Sequence, residues 1–497
     1  MTIIFSNHQL KYQIESLCKL FFPCTKFTLL YEAVKIEDDT IFTRVKKGKK
    51  NTYLSVIIKI NGEILRKQSC VLNKTDAYKR ECERLFSIMI YKLLSNALNI
   101  YPKWGISTGV RPVTVARKLI AKGYDYDQLK SHFVSDYLVD ESKLSLMLDT
   151  IKNQTDILKM NTDNSYSLYI SIPFCPSRCT YCSFVSHSIQ CEKSTSLIED
   201  YLTLLYKELV YIGKMAKDLG LKLTTIYIGG GTPTSISSSQ LKAMTDVIAE
   251  NFPVKDTLEY TIEAGRADTI TREKLEVIKA CGATRISINP QTFNDNVLVN
   301  IGRRHTAAEV VECYQMAREI GFDNINMDLI AGLPTDNFAS FKRSVDTCIG
   351  LAPENITVHT LSIKRSSKLY EKFSDKLFGG EVAMMVEYSQ KVLMNNSYEP
   401  YYLYRQKNTV DNLENVGYCK PGKQSYYNIF IMEELQTILA AGAGAVTKLV
   451  KLKDFCNIEE IVRIYNYKYH FEYISDFDEI INRKGEVLEF YDKFKFN

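Results

Sequence analysis

Hydrophobic and polar positions fall into three regimes along the chain. From about residue 26 to 72 apolar and polar residues alternate. Thr52-Tyr-Leu-Ser-Val-Ile-Ile-Lys-Ile60, then Asn61-Gly62, then Glu63-Ile-Leu-Arg66 reads as a β-hairpin with an Asn-Gly turn. Over residues 76 to 98 the period lengthens, with Leu85, Ile88, Met89, Leu93 and Leu94 spaced as on one face of a helix. A loop dense in Gly and Pro with Trp104 and Arg111, residues 102 to 112, reads as a packed corner between domains. Helical patterns follow it near 113 to 122 and 140 to 158. From 166 onward β-branched runs at 166 to 172, 224 to 229, 258 to 263, 284 to 289, 324 to 330 and 355 to 361 alternate with helical stretches.

Six βα repeats predict an α/β fold, a parallel sheet curled into a partial (β/α)6 barrel with reactive groups at the carboxyl ends of its strands. Helices are expected near 379 to 395 and 433 to 441. The domain plan is therefore an N-terminal α/β domain over 1–100, a helical linker region over 101–164, the barrel over 165–370, and a mainly helical, substrate-covering C-terminal region over 371–497.

Chemistry concentrates where the first barrel strand ends. Tyr169-Ile-Ser-Ile-Pro-Phe-Cys175-Pro-Ser-Arg-Cys179-Thr-Tyr-Cys182 carries three cysteines spaced C-x3-C-x2-C. Three thiolates on one loop leave a fourth coordination position of a [4Fe-4S] cube open to a small molecule. The alternatives are three unrelated thiols or half a zinc site, although no second Cys/His pair follows at zinc spacing. The second strand ends in Gly229-Gly230-Gly231-Thr232-Pro233-Thr234, whose backbone can approach a ligand closely. The third ends at Glu263, the fourth leads to Gln291, and the fifth carries Asp328. Arg303 or Arg304 supplies a positive partner to these acids.

Composition adds limits. At 497 residues, several domains are required. The net charge of +5, from 63 basic and 58 acidic residues, is mild and reads as evenly spread, which argues against nucleic acid as a partner. No run reaches transmembrane length, and residues 1 to 22 are broken by polar side chains, so a cytoplasmic protein is expected. Thirteen cysteines fit a reducing compartment better than a disulfide framework. Arg405, Lys407, Lys420 and Lys423, with Lys364 and Arg365, form a basic and aromatic group with Tyr401-Tyr-Leu-Tyr404. It suits a ligand bearing several carboxylates, and equally a solvated basic face. Cys419 reads either as a redox thiol or as an inert buried cysteine.

The cysteine spacing, with an aromatic residue before the third Cys, resembles the radical S-adenosylmethionine (SAM) signature. Tyr-x-x-Ile-Pro-Phe-Cys, Gly-Gly-Gly-Thr-Pro-Thr, Glu263, Gln291 with Arg303 twelve residues on, and Asp-Leu-Ile-x-Gly-Leu-Pro are together similar to the oxygen-independent coproporphyrinogen III oxidase family. Trp-Gly-Ile-x-Thr-Gly-x-Arg-Pro at 104 to 112 and the Tyr-Arg-Gln-Lys to Gly-Ala-Gly-Ala segment at 404 to 445 resemble its long, coproporphyrinogen dehydrogenase branch.

The resemblance implies that Cys175, Cys179 and Cys182 hold a [4Fe-4S] cluster whose open iron takes SAM, and that a second SAM lies adjacent. The first SAM would contact Tyr169, Gly230 and Glu263. The second would contact Gly231, Thr232, Gln291, Arg303 and Asp328, with Ser362 where the family carries alanine. It further implies a tetrapyrrole substrate, an electron donor such as ferredoxin or flavodoxin, no nucleic acid, no membrane span and a monomer. The implied reaction converts two coproporphyrinogen III propionates to vinyl groups. One departure is Phe184, where the better-studied oxidases carry a further cysteine and the related heme-chaperone branch does not. The alternatives are accordingly a heme-binding chaperone, with His187, His305 or His359 as candidate iron ligands, or a heme-modifying enzyme on the same scaffold.

Overall fold

A computed structural model describes residues 1–23, 25–31, 36–73, 77–184, 186–189, 194–364, 367–369, 380–406 and 409–494. The chain divides into two compact units, Met1–Leu148 with Arg405–Leu413, and Asp149–Tyr404 with Glu414–Asn497.

The first unit contains β1 (Thr2–Ser6), α1 (Lys11–Phe21), β2 (Thr28–Leu30), β3 (Thr40–Lys47), β4 (Asn51–Ile60), β5 (Glu63–Leu72) and α2 (Tyr78–Leu98). Its strands form a sheet in the order β2-β1-β3-β4-β5. The expected hairpin is present: Ile60 pairs with Glu63, and Asn61 and Gly62 turn at φ 51 and 80, both in the left-handed region that such a turn demands. Leu54, Val56 and Ile58 bury one face of β4 against α1 and α2, whose Ile14, Leu17, Phe86, Met89, Ile90 and Leu94 complete one core. Leu85, Ile88 and Leu93 pack at its margin.

Charge in this unit is not evenly spread. Residues 40 to 72 hold eight Lys or Arg against the single Glu63, because outward positions of β3 to β5 and the turn at Gly48 carry most of the cations, whereas Lys67 lies on the face of Val56. Then come α3 (Pro112–Ala121), opened by Pro at its first position, α4 (Tyr126–Lys130), capped by Asp125 and Gln128, a π-helical turn over Ser131–Asp136, and α5 (Glu141–Lys159).

The second unit is built on six parallel strands: β6 (Ser165–Ile172), β9 (Lys222–Gly230), β10 (Glu259–Glu263), β11 (Arg285–Ser287), β12 (Ile325–Ala331) and β13 (Asn355–Thr360). They lie side by side in chain order. The intervening elements are a two-strand bridge of β7 (Phe174–Cys175) with β8 (His187–Ser188), then α6 (Ser194–Asp218), α7 (Ser238–Asn251), α8 (Arg272–Ala280), α9 (Asp295–Asn300), α10 (Ala307–Ile320) and α11 (Phe338–Leu351). β6 is buried along nearly its whole length, as expected of a parallel strand covered on both faces. Capping boxes at Ser237/Gln240 and Thr306/Glu309 start α7 and α10, and Gly321 at φ 97 stops α10.

Beyond residue 380 come α12 (Glu381–Asn395), β14 (Glu399–Arg405), β15 (Glu414–Cys419), α13 (Tyr426–Glu433), β16 (Thr437–Ala441), β17 (Val446–Asp454), β18 (Asn457–Tyr465), α14 (His470–Ser475), α15 (Phe477–Arg483) and α16 (Gly485–Phe494). Helices outweigh strands here, yet the strands extend both edges of the barrel sheet. β15 pairs antiparallel with β13 and β16 parallel with β6, so the described residues form an eleven-stranded sheet.

The helix expected at 433 to 441 is absent: α13 ends at Glu433, and Thr437–Ala441 is the strand β16. The reason is burial. All five residues are enclosed, so an Ile-Leu-Ala-Ala run shows no polar face by which period 2 could be told from period 3.6. Gly442, at φ 95, then brings the chain within 2.5 Å of Ser171 O and Tyr201 Oη, counted from where a Cβ would stand.

A buried carboxylate holds this addition in place. Glu208 of α6 accepts from Gly442 N, Asn466 Nδ2 and Tyr473 Oη, and pairs at 2.9 Å with Lys484 Nζ, both side chains being essentially inaccessible. Among the described residues no helix is long and apolar enough to cross a membrane.

Candidate functional site

The three cysteines lie where β6 gives way, after Pro173, to β7. The loop is held from several sides. Thr180 N bonds to Ile301 O at 3.0 Å, Ser177 Oγ to Gly302 O at 2.8 Å, Leu369 N to Thr180 O at 3.0 Å, and Arg266 Nη1 to Ser177 O at 2.8 Å. Cys175 and Cys179 are buried and Cys182 is half-buried. Burial pushes the Cys182 thiol up to about 11, the backbone N–H of Phe184 pulling the other way and the neighbouring Cys179 and Cys175 adding to the rise. Burial likewise raises Cys175, against the hydrogen bond with Thr232. The three sulfurs are thus within electrostatic reach of one another.

The glycine triplet is fitted to this loop. Gly231 N donates to Ile172 O at 2.7 Å and Thr232 N to Phe174 O at 2.8 Å, while Thr232 Oγ1 stands 3.4 Å from Cys175 Sγ. A Cβ on Gly231 would stand 2.5 Å from Phe174 O, and Gly230, at φ 107, would put one 2.8 Å from Ser171 Oγ. The close approach that the glycines permit is therefore to the cysteine-bearing strand, which fixes the loop against β9.

Polar groups gather at the carboxyl ends of the strands. Glu263, last in β10, accepts a hydrogen bond from Tyr227 Oη. Burial pushes its carboxyl up to about 7, the Tyr227 bond opposing and the Asp328 charge adding. The Tyr227 ring stacks on Tyr427 of α13 with centroids 4.4 Å apart, and Tyr169 of β6 lies 6.2 Å from Tyr427. Asp328 accepts from Asn326 Nδ2 at 2.8 Å and faces His359 Nε2 at 3.8 Å. Burial alone would raise Asp328; the hydrogen bond and charge of His359, with Asn326 and Thr357, bring it below the usual value.

Gln291 sits at φ 67, unusual for a residue with a side chain. Bonds of its N to Asp328 O and of Ile330 N to its own O hold it there. Buried Arg303 donates from Nη1 to Asn289 O at 2.7 Å and reaches Tyr181 Oη from Nη2 at 3.5 Å. Ser362 lies two residues past β13, half-buried.

Other expected groupings do not form. Lys420 bonds to Ala352 O and pairs with Glu354, and Lys423 pairs with Asp323. Because β15 runs antiparallel to β13, its end returns these lysines to the amino ends of β12 and β13, away from the cysteines. Arg405 is buried in the first unit, 5.0 Å over the Trp104 ring, donating to Ser107 O, Gly109 O and Asn412 O. Arg365 and Lys407 lie outside the described residues. Burial raises the Cys419 thiol, as befits an inert cysteine. His305 has a fully enclosed side chain 3.5 Å from Asp268, which closes it to an iron ligand's role. His187 instead lies 4.6 Å, ring to ring, from His470.

Several residues were missed by sequence reasoning. Tyr427 comes from a distant helix and carries no local signal. Arg266 and Asp268, by contrast, follow Glu263 closely as an Arg-x-Asp pair. Beside the loop opens a cavity of about 620 Å³ whose lining includes Arg178, Arg303, Arg304, Lys368 and exposed Val299, with no carboxylate among the described residues that line it.

The family model of the radical SAM superfamily matches residues 169–348. The oxygen-independent coproporphyrinogen-III oxidase-like protein HemZ of Bacillus subtilis is 40% identical over 417 residues, 82% of each chain. The heme chaperone HemW of the same organism is 39% identical over 205 residues, 41% of this chain and 52% of that protein. Among solved structures, coproporphyrinogen III oxidase HemN from Escherichia coli aligns over 65% of this chain and 71% of its own with a TM-score of 0.51 and 21% identity, a likeness of fold.

A radical SAM domain implies a [4Fe-4S] cluster and SAM. The residues present fit such groups: three thiols share one pinned loop, and beside it the buried Asn289 Oδ1 and Arg303 Nε have no hydrogen-bond partner among the described residues. Among the described residues no three His, Cys, Asp or Glu side chains are arranged to hold a single metal ion, and thiolates on separate irons of a cube need not converge on one point. The chain belongs to the radical SAM superfamily and, within it, to the family of the oxygen-independent coproporphyrinogen-III oxidase-like protein HemZ.

Proposed function

We propose that this protein oxidatively decarboxylates two propionate side chains of coproporphyrinogen III to vinyl groups without oxygen, giving protoporphyrinogen IX. The observation that carries the reading is the cavity beside the cysteine loop, where Arg178, Arg303, Arg304 and Lys368 face an open volume with Val299 on its wall. A porphyrinogen with four carboxylates and an apolar macrocycle needs that combination.

In this reading Cys175, Cys179 and Cys182 bind the cluster. Tyr169, Gly230 and Glu263 contact one SAM, and Gly231, Thr232, Gln291, Arg303, Asp328 and Ser362 a second. Cluster and SAM, when bound, supply a 5′-deoxyadenosyl radical that takes a hydrogen atom from a propionate β-carbon; loss of one electron to an external acceptor and of CO2 leaves the vinyl group. The chain's own part is positional and electrostatic. The loop cations seat the carboxylates, Tyr169, Tyr227 and Tyr427 wall off water, and Glu263 enters neutral or ionised near pH 7. An electron donor of the ferredoxin or flavodoxin class reduces the cluster, and the protein acts as a cytoplasmic monomer.

A second reading, heme binding and delivery, is favoured by Phe184. Its side chain is exposed, with 62% of its area accessible, two residues after Cys182, where the better-studied oxidases carry a cysteine. Anaerobically reconstituted protein incubated with SAM, a low-potential reductant and coproporphyrinogen III decides between them. Stepwise loss of two CO2 with matching 5′-deoxyadenosine supports the oxidase. SAM cleavage with unchanged substrate mass, together with stoichiometric heme uptake, overturns it in favour of the chaperone.

A further inference from the structure

Arg266 has no place in the substrate or SAM contacts proposed above, yet it is among the most constrained side chains near the cysteines. It follows β10 by three residues and is almost wholly enclosed, its side chain 3% accessible. Its fork is clamped by Asp268, with Nε to Oδ1 at 3.0 Å and Nη2 to Oδ2 at 2.9 Å. His305 backs the same carboxylate at 3.5 Å. Burial alone would raise Asp268, but the nearby His305 and the hydrogen bonds and charge of Arg266 hold it well below the usual carboxylate range, so it stays ionised.

With two of its nitrogens fixed there, the third, Nη1, is committed to the cysteine loop. It donates to Ser177 O at 2.8 Å and stands 3.9 Å from Cys179 Sγ. A bidentate clamp is more than is needed to satisfy one carbonyl, and it aims a permanent cation at a sulfur.

We propose that Arg266 is a positioning residue that tunes the electron affinity of the cluster through Cys179, with Asp268 setting how much of its charge the sulfur feels. The inference rests on Cys179 being a cluster ligand. A hydrogen bond and positive charge at a ligating sulfur favour the reduced, more negative state and so raise the midpoint potential. Removing the cation lowers it. Removing the Asp268 charge while keeping an oxygen to hold Nε leaves the guanidinium less compensated and raises it. A purely structural part for the pair predicts no such opposition of sign.

The test is a redox titration of the anaerobically reconstituted full chain, followed by electron paramagnetic resonance of the reduced cluster, for wild type, R266Q and D268N. R266Q is expected to lower the reduction equilibrium constant about tenfold, about 59 mV for one electron, and D268N to shift it the other way. R266Q loaded with four irons and titrating as wild type overturns the inference. If R266Q does not take up iron, D268N carries the test alone, and an unchanged or lowered potential overturns the proposal. C179A separates the two layers: a full, unaltered cluster in that variant sinks the ligand assignment itself, whereas a lost or altered one leaves the Arg266 result to stand on its own.

Discussion

Glu263→Gln should remove a pH dependence that wild type carries in its second unit. A carboxyl of this kind ionises near 4.5 in an unfolded chain, while Glu263 in the folded protein holds its proton to about 7. Between those values the folded state binds more protons than the unfolded one, so the unfolding free energy falls as pH rises. Below about 4.5 both states are protonated and above about 7 both are ionised, and neither limit contributes a slope. The gap of about 2.5 pKa units corresponds to at most about 3 kcal/mol, and Glu263 is only partly buried, so 1 to 3 kcal/mol is the expected order.

Gln keeps an oxygen to accept from Tyr227 but has nothing to ionise. E263Q should match wild type near pH 4.5 and exceed it by about that amount at pH 8. The assay is urea denaturation of cluster-free protein by far-ultraviolet circular dichroism at several pH values. A difference between the variants that stays constant from pH 4.5 to 8 would refute the protonated carboxyl.

Three further outcomes follow from the packing. Lys484→Met strands Glu208 as a buried charge and should cost about 3 to 5 kcal/mol, read as a lowered thermal midpoint, whereas the double change with Glu208→Leu should recover much of it. Gly231→Ala drives a Cβ against Phe174 O at 2.5 Å, which backbone must move to relieve; thiol titration should find Cys175 and Cys182 reacting faster, and unaltered rates would contradict the fitted loop. Replacing Cys175, Cys179 and Cys182 together by Ala should abolish both the visible absorbance of reconstituted protein and 5′-deoxyadenosine formation, and survival of either in the triple variant would remove the cluster assignment.

What the sequence made legible divides along the reach of its signals. The six barrel strands and the hairpin at Asn61–Gly62 carry their period or their turn residues locally, and they stand where they were expected. β16 was misread because complete burial erases periodicity, and with it went the way the last hundred residues widen the sheet. Lys420 and Lys423 show a second limit. Near in sequence to a basic aromatic segment, they are carried by one antiparallel pairing to the far end of the strands. Charge counts cannot foresee the direction of a strand.

The site shows the same division more sharply. Cysteine spacing marks a loop, but what surrounds and holds the loop arrives from elsewhere: Arg266 after β10, Arg303 after α9, and the glycines at the end of β9 that back Phe174. Of these only the glycine triplet and Arg303 stood out beforehand, and the triplet did so for a different reason. The tightest neighbours of Gly231 are the carbonyls of Phe174 and Ile172, and those of Gly230 are Ser171 Oγ and the Ile172 backbone, so glycine at 230 and 231 is required by the cysteine-bearing segment before any ligand is considered. A substitution there tests the placement of the cysteines, and a substitution at Arg266 tests their electronic surroundings. The two can be separated because G231A should alter thiol exposure in the cluster-free chain, where D268N, which keeps Arg266 and its bond to Ser177 O, should leave it nearly unchanged.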